Sequence, residues 1–402
     1  MKVAIVNTLA KTKSIGKIAY GLQQYMQSQG HEAYIFYGRE DGDKLNDPYM
    51  IRVGNNVDMY IHGALTRVFG GEGTYSRAAT RKMLRQFEEL KIDAVCLLNI
   101  HGYYLNFPML FQWLGKSKVR LVYVMLDEYP FLGKCTYSYD CEKYMSVCGH
   151  CPYLHDYPKS FFADPSTRIF YLKKKAYELV PQCTFVGIEY TVERARKSAI
   201  MLHAKFVVMD EAVDLRNMYY PRDTARLRKE LNIPKKNKVI VTVTPYPGFR
   251  KGGQYYIQAA EKLQYRTDIT FVHVGYQADP QKCPPNLIPI GYVKDQNLLA
   301  EYYSLGDLFV LTSVAETIPA AIIEALSCGT PILGFNISGI PTSADEEHGV
   351  FVEPCNVDDM VRVILETPIK TAERSASCRK YAESRYDAIE YYKKLTQLLT
   401  GA

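Results

Sequence analysis

Two glutamates eight residues apart, Glu316 and Glu324, stand in the stretch DLFVLTSVAETIPAAIIEALSCGTPILGF, residues 307–335. Leu308–Leu311 is an apolar run of the length and composition of a buried parallel strand. A loop over residues 313–318 follows. Pro319 suits the first position of a helix, and Cys328-Gly329 ends that helix before a second buried strand over residues 331–335. In a strand–loop–helix–strand unit, ligands sit at the carboxyl ends of the strands. Glu316 falls in the loop at that end, and Glu324 lies ~7–8 Å along the helix at ~1.5 Å per residue. Thr317, Ile318, Pro319 and Ala320 form the approach to the helix, where the amides of residues 320–322 favour an anion such as phosphate. Acceptors for hydroxyls beside a phosphate cradle suit a nucleotide sugar better than a bare nucleotide. The plainer reading is an acidic residue that complements the helix dipole.

Three further groups invite chemistry. Arg250-Lys251-Gly252-Gly253 lies between a β-branched strand, 239–244, and a helix, 255–263. Lysine supplies a point charge and glycine lets the backbone approach, a pairing that suits a diphosphate; an exposed charged turn is the alternative. His101 follows an apolar strand over 94–99, and Asp127 follows another over 119–125, so both fall at strand carboxyl ends. For His101 the alternative is a satisfied structural histidine. Cys135, Cys141, Cys148 and Cys151 crowd into 17 residues. In a reducing compartment such a cluster reads first as a tetrahedral structural zinc site, with disulfides or free thiols as the other reading. Cys148-Gly-His-Cys151 matches a redox motif, but Pro152 and the upstream cysteines do not fit the thioredoxin setting.

These residues must be positioned by alternating strands and helices. A strand over 2–7, a polar loop ending at Gly16, a helix over 17–29 and a strand over 33–37 make a Rossmann-type opening. The single Gly16 in place of GxGxxG argues against NAD or FAD. The alternation runs through two halves, giving an α/β fold of two doubly wound domains with the site in the cleft between them. The expected divisions are 1–204, 205–380 and a C-terminal helix over 381–402 that crosses back to the first domain, with a charged linker flank over 222–238.

Composition narrows the classes. The 402 residues are 47% hydrophobic and 23% charged, as in ordinary globular proteins, with a formal net charge of +6. The basic residues are spread rather than gathered on one stripe, so nucleic acid is not an expected partner, whereas weak attraction to anionic lipid is. No leader-like segment opens the chain and no apolar run approaches the ~18 residues that span a bilayer. The expected location is cytoplasmic, at most peripheral at the inner face of the membrane.

Glu316, seven residues, then Glu324-Ala-Leu-Ser-Cys-Gly-Thr-Pro resembles the signature of glycosyltransferase family 4, retaining sugar transferases of the two-Rossmann GT-B fold. Arg250-Lys251-Gly252 resembles the family's phosphate-binding segment. Asn99-Ile100-His101-Gly102 and the four-cysteine loop resemble a subset that builds capsular and exopolysaccharides of the colanic-acid type. The resemblance implies transfer from a UDP- or GDP-sugar donor to a hydroxyl of a glycan or lipid-linked acceptor, with no metal needed for catalysis. It implies that Lys251 and Arg250 neutralise the diphosphate, that Glu324 holds the ribose and that Glu316 holds the transferred sugar. It also implies that Gly16 and Gly291 border the donor, and that His101 and Asp127 lie near the reacting centre. Leu126 stands where the family usually has histidine, which leaves His101 or Asp127 to share that role. A GT-B epimerase or phosphorylase, or a catalytically weak sugar-nucleotide-binding subunit, are the alternatives.

Overall fold

The computed structural model describes residues 1–39, 46–246, 248–317 and 319–401. Residues 1–210 with 389–402 form one compact unit, and residues 211–388 form a second. The first is built on a seven-stranded sheet, β1 (Lys2–Leu9), β2 (Glu32–Arg39), β3 (Met50–Arg52), β4 (Ala94–Leu97), β5 (Arg120–Val124), β6 (Thr184–Gly187) and β7 (Lys205–Val208). All pairs are parallel and the order is β3-β2-β1-β4-β5-β6-β7. Its helices are α1 (Lys13–Ser28), α2 (Asn56–Phe69), α3 (Arg77–Leu90), α4 (Phe107–Lys116), α5 (Ser166–Glu178) and α6 (Glu189–Lys197). Val6, Phe36, Val95 and Leu97 of the sheet pack with Phe87, Phe111 and Phe170 of the helices in one core. Apolar strands buried between helix layers explain the near-continuous hydrophobic runs of the sequence.

The second unit holds a six-stranded parallel sheet, β8 (Lys238–Val243), β9 (Ile269–Val274), β10 (Leu287–Ile290), β11 (Leu308–Leu311), β12 (Ile332–Phe335) and β13 (Gly349–Val352). The order is β10-β9-β8-β11-β12-β13. Helices α7 (Ala225–Glu230), α8 (Gly253–Lys262), α9 (Gln296–Leu305), α10 (Ala320–Ser327), α11 (Val357–Glu366) and α12 (Ala372–Tyr386) accompany it, and α13 (Ala388–Thr400) follows. In each sheet the order reverses beside the first strand, β1 against β4 and β8 against β11. That reversal is where ligands enter open α/β sheets.

Three boundaries differ from the sequence reading. The division expected at 204/205 lies at 210/211, because β7 pairs with β6 and completes the first sheet. The terminal segment expected from 381 returns only from Ile389. Before it, Arg379 of α12 donates to Leu215 O and Ser327 O and so ties α12 to the second unit, while Tyr392 of α13 lies against Gly21 of α1. Helix α1 starts at Lys13, four residues earlier than expected, so Gly16 sits in its first turn rather than in a loop. There it packs on Lys11, where a Cβ would stand 2.8 Å from the carbonyl carbon.

Helix α7 falls inside the segment expected to be a linker flank, and α11 where the sequence reading assigns no element, as do α2, α3 and α4 of the first unit. Two of these last three are capped as expected of their sequence. Asn55 and Asp58 form a reciprocal capping box at α2, and Asn106 accepts from Met109 N at α4. Among the described residues no helix is long and apolar enough to cross a membrane.

Candidate functional site

β8 and β11 are hydrogen-bonded neighbours, with Ile240 beside Leu308, so the loops leaving their carboxyl ends must meet. The loop after β8 carries Arg250 and Lys251, and the loop after β11 carries Glu316. Val314 N donates to Arg250 O at 2.9 Å, and Arg250 Nη1 donates to Ala315 O at 2.8 Å. Glu316 Oε1 then receives Lys251 Nζ at 2.5 Å and Arg250 Nη1 at 2.9 Å. Two stretches picked out separately in the sequence meet in one ion cluster. Burial pushes the Glu316 carboxyl up, but Lys251 and Arg250 outweigh it and hold it below the usual carboxylate range. Glu316 is 6% exposed, whereas the two cationic side chains are about one-third exposed. An ammonium has three donor hydrogens, so one carboxylate oxygen does not exhaust Lys251. Gly252 permits this geometry: its φ is +64° and a Cβ would fall 1.8 Å from Thr312 O.

Helix α10 begins beside this cluster. Pro319 caps it from an extended conformation (ψ 112°) rather than opening its first turn as expected. Ile322 N already donates to Pro319 O at 2.9 Å, so of the three expected amides those of Ala320 and Ala321 are left at the helix start. Gly329, at φ +78°, ends the helix as the sequence implied. Glu324 is half-buried on α10, and its Oε2 accepts from the Tyr303 hydroxyl at 2.6 Å. Thr317 is buried in the loop, and Ile318 lies outside the described residues. Gly291 follows β10 and packs on Gln277, whose Oε1 would be 2.3 Å from a Cβ there.

The first unit repeats the principle. β4 and β5 pair with Leu97 beside Tyr123, and this brings His101 to Asp127: Nε2 and Oδ2 are 2.7 Å apart. The Tyr157 hydroxyl lies 3.0 Å from Nδ1, and Asp127 Oδ1 accepts from Tyr129 N at 3.0 Å. Both ring nitrogens are engaged, so the imidazole orientation is fixed. A histidine thus reaches Asp127 from the neighbouring strand, although Leu126 precedes it in the chain.

Two members of this network escape the sequence reading. Tyr157 lies 56 residues from its partner and no spacing marks it. Glu72, buried in Gly70-Gly71-Glu72-Gly73, accepts from Gly102 N at 2.9 Å and Tyr103 N at 3.0 Å, and from the Tyr129 hydroxyl at 3.0 Å. Gly102 and Tyr103 both have positive φ, +115° and +67°, which turns successive amides onto one anion. A lone carboxylate in a glycine run was the available signal. A hollow of about 330 Å³ opens beside His101, lined also by Thr8, Lys13, Arg39, Asn99 and Tyr157.

The four cysteines gather in one region, where Cys135 feels Cys148 and Cys151, and Cys148 feels Cys141. Among the described residues no group of three or more His, Cys, Asp or Glu is placed to hold a metal. Cys135 and Cys151 approach to 3.8 Å, but Cys148 turns toward the core against Gly133, and burial pushes its thiol up to about 11. Cys141 joins neither contact. Lysines take part in this region instead: buried Lys134 donates to Tyr153 O, Leu154 O and Asp156 O.

Residues 237–367 match the family model described as glycosyl transferases group 1. This segment holds β8 to α11, and with them Lys251, Arg250, Glu316 and Glu324. This part of the chain is a group 1 glycosyl transferase domain. Along nearly its whole length the chain is similar to the putative colanic acid biosynthesis glycosyl transferase WcaC of Escherichia coli (strain K12), with 21% identity over 94% of this chain and 96% of that one. The glycosyltransferase superposes on sucrose-phosphate synthase of Thermosynechococcus elongatus with a TM-score of 0.67, 16% identity and full coverage of both chains. It superposes on Anabaena HepE in complex with UDP-glucose with a TM-score of 0.64, 14% identity and full coverage of both. At these identities the two structures speak to the fold, which is GT-B.

Proposed function

We propose that this glycosyltransferase moves a sugar, with retention at the anomeric carbon, from a UDP- or GDP-sugar to a hydroxyl of a glycan or lipid-linked acceptor in polysaccharide biosynthesis. The observation that carries the reading is the Lys251–Glu316–Arg250 cluster at the start of α10, inside the matched domain. Negative charge grows on the departing diphosphate as the glycosidic bond breaks. Two preoriented cations and a helix start stabilise that charge without reorganising. Glu316 orients both cations and accepts from hydroxyls of the transferred sugar, while Glu324, braced by Tyr303, accepts from the ribose. His101 and Asp127 bind and orient the acceptor. With cations and amides on the leaving group, no divalent metal is needed. The full-length likeness to WcaC supports a place in polysaccharide assembly, and the UDP-glucose complex of HepE supports a sugar nucleotide as donor. A lipid-linked acceptor and the formal charge of +6 fit work at the inner face of an anionic membrane.

The test is a thermal-shift panel of UDP, GDP, ADP and their common sugar conjugates in EDTA, followed by NMR of the product anomer. A ligand that binds only the folded chain raises the melting temperature by mass action. One uridine or guanosine series should stabilise the protein selectively, and the product should keep the donor's anomeric configuration. No shift at millimolar ligand, or an inverted product, sinks the respective part of the reading.

A further inference from the structure

Arg39 ends β2 at the carboxyl edge of the first sheet, next to β1 and therefore beside the strand-order reversal. Its place is fixed by Gly38, which lies under the Tyr104 ring: a Cβ there would meet Tyr104 at 2.4 Å. Arg52 Nε holds Gly38 O from the other side at 3.4 Å. The half-exposed Arg39 side chain lines the hollow of about 330 Å³ that also shows His101 and Tyr157. That volume is at the small end of ligand pockets, roughly 300–1,000 Å³. Its charge is felt by the phenols of Tyr103 and Tyr157, the second of which touches His101 Nδ1.

Among the described residues no hydrogen bond or ion pair satisfies this guanidinium. Two carboxylates of the neighbouring described residues are committed elsewhere: Asp127 to His101, and Glu72 to the amides of Gly102 and Tyr103. Among the described residues that line the hollow, Lys13 is a second cation and none is an acid. A strong donor fork therefore faces a cavity whose described lining offers it hydroxyls and an amide but no carboxylate. We propose that the acceptor substrate carries an anionic group, a carboxylate or a phosphate, which Arg39 binds beside the hydroxyl to be glycosylated. A guanidinium matches both anions with two parallel charge-assisted bonds, whereas the hydroxyls of a neutral sugar accept singly and without charge. This inference rests on the reading that His101 and Asp127 serve the acceptor.

The experiment is isothermal titration of the full chain with D-glucuronate, α-D-glucose 1-phosphate and neutral methyl α-D-glucoside, with and without saturating UDP or GDP. At least one anionic probe should bind about tenfold or more tightly than the neutral glucoside. Arg39→Ala and Arg39→Gln should abolish that advantage, and Arg39→Lys should keep part of it, since it retains charge without the fork. Preference for glucuronate assigns a carboxylate, and preference for glucose 1-phosphate assigns a phosphate. Equal binding of charged and neutral probes overturns the proposal, as does no binding of any. An advantage that survives Arg39→Ala and Arg39→Gln also overturns it and places the anion elsewhere. Melting temperatures of both variants separate lost binding from lost folding. Failure of every nucleotide to bind counts against the donor reading alone, because the Arg39 dependence is read in either condition.

Discussion

A buried carboxylate shared by two cations behaves as a unit, and its members differ in what their removal does. Removing Lys251 leaves Arg250 on Glu316, so the buried charge keeps a partner. Lys251→Ala should therefore melt close to the unsubstituted protein while kcat/KM for the donor falls by about 10²–10³, the cost of losing one preoriented charge-stabilising group. Steady-state kinetics beside a melting curve checks both halves, and unaltered turnover refutes the role. These residues were legible because each lies in a local strand–loop–helix pattern whose chemistry stays within a few residues. His101 and Asp127 were legible singly, through their strand ends, but their pairing depends on β4 lying beside β5. Tyr157 and Glu72 depend wholly on tertiary approach. The cysteines are less legible for a related reason: close spacing does not decide whether a thiol faces a metal or the core, and Cys148 packs against the core.

At the scale of elements, the donor-side geometry rests on how the loop after β8 is pinned. Gly252 sits where a Cβ would strike the Thr312 carbonyl, in a conformation that L residues resist. Gly252→Ala should destabilise the chain by more than ~1 kcal/mol and weaken nucleotide binding, because the clash is with backbone that cannot rotate away. Denaturant midpoints and nucleotide titration read the two effects. From the adjacent strand, buried His273 of β9 lies with Nε2 2.9 Å from Thr244 O at the end of β8. Burial pulls this imidazole down to about 4, the bond to Thr244 only partly opposing it. Between pH 6.5 and 4 the unfolded chain takes up a proton that the folded chain refuses, so this group makes stability fall as pH falls through that window. The loss should reach about 3 kcal/mol and level off below it. His273→Asn should flatten the decline between urea midpoints at pH 7.5 and 4.5. The sequence foretold most of the strands but not the start of α1 or the presence of α2, α3, α4, α7 and α11. The polar run before Gly16 reads as loop until packing on Lys11 is known, and the caps of α2 and α4 are short-range signals that apolar periodicity passes over.

At the scale of the whole molecule, the two units carry different chemistry on the same plan of parallel strands with a reversal beside the first. The cations and Glu324 belong to the segment that matches the group 1 model, while His101, Asp127 and Tyr157 belong to the first unit. The doubly wound plan was readable because strand and helix periods alternate along the chain. The 210/211 division was not, since β7 becomes part of the first sheet only by pairing with β6. This partition of side chains predicts a partition of kinetic effects. His101→Ala removes a group held on both ring nitrogens in the first unit and leaves every proposed nucleotide contact in place. Transfer to acceptor should fall by about 10²-fold, the cost of a misplaced acceptor. The nucleotide dissociation constant should stay within about twofold, well under the tenfold that 1.4 kcal/mol represents. A parallel loss of nucleotide affinity would mean that His101 serves the donor. Intact transfer would mean that its bond to Asp127 is structural and that the acceptor is activated by groups from elsewhere in the chain.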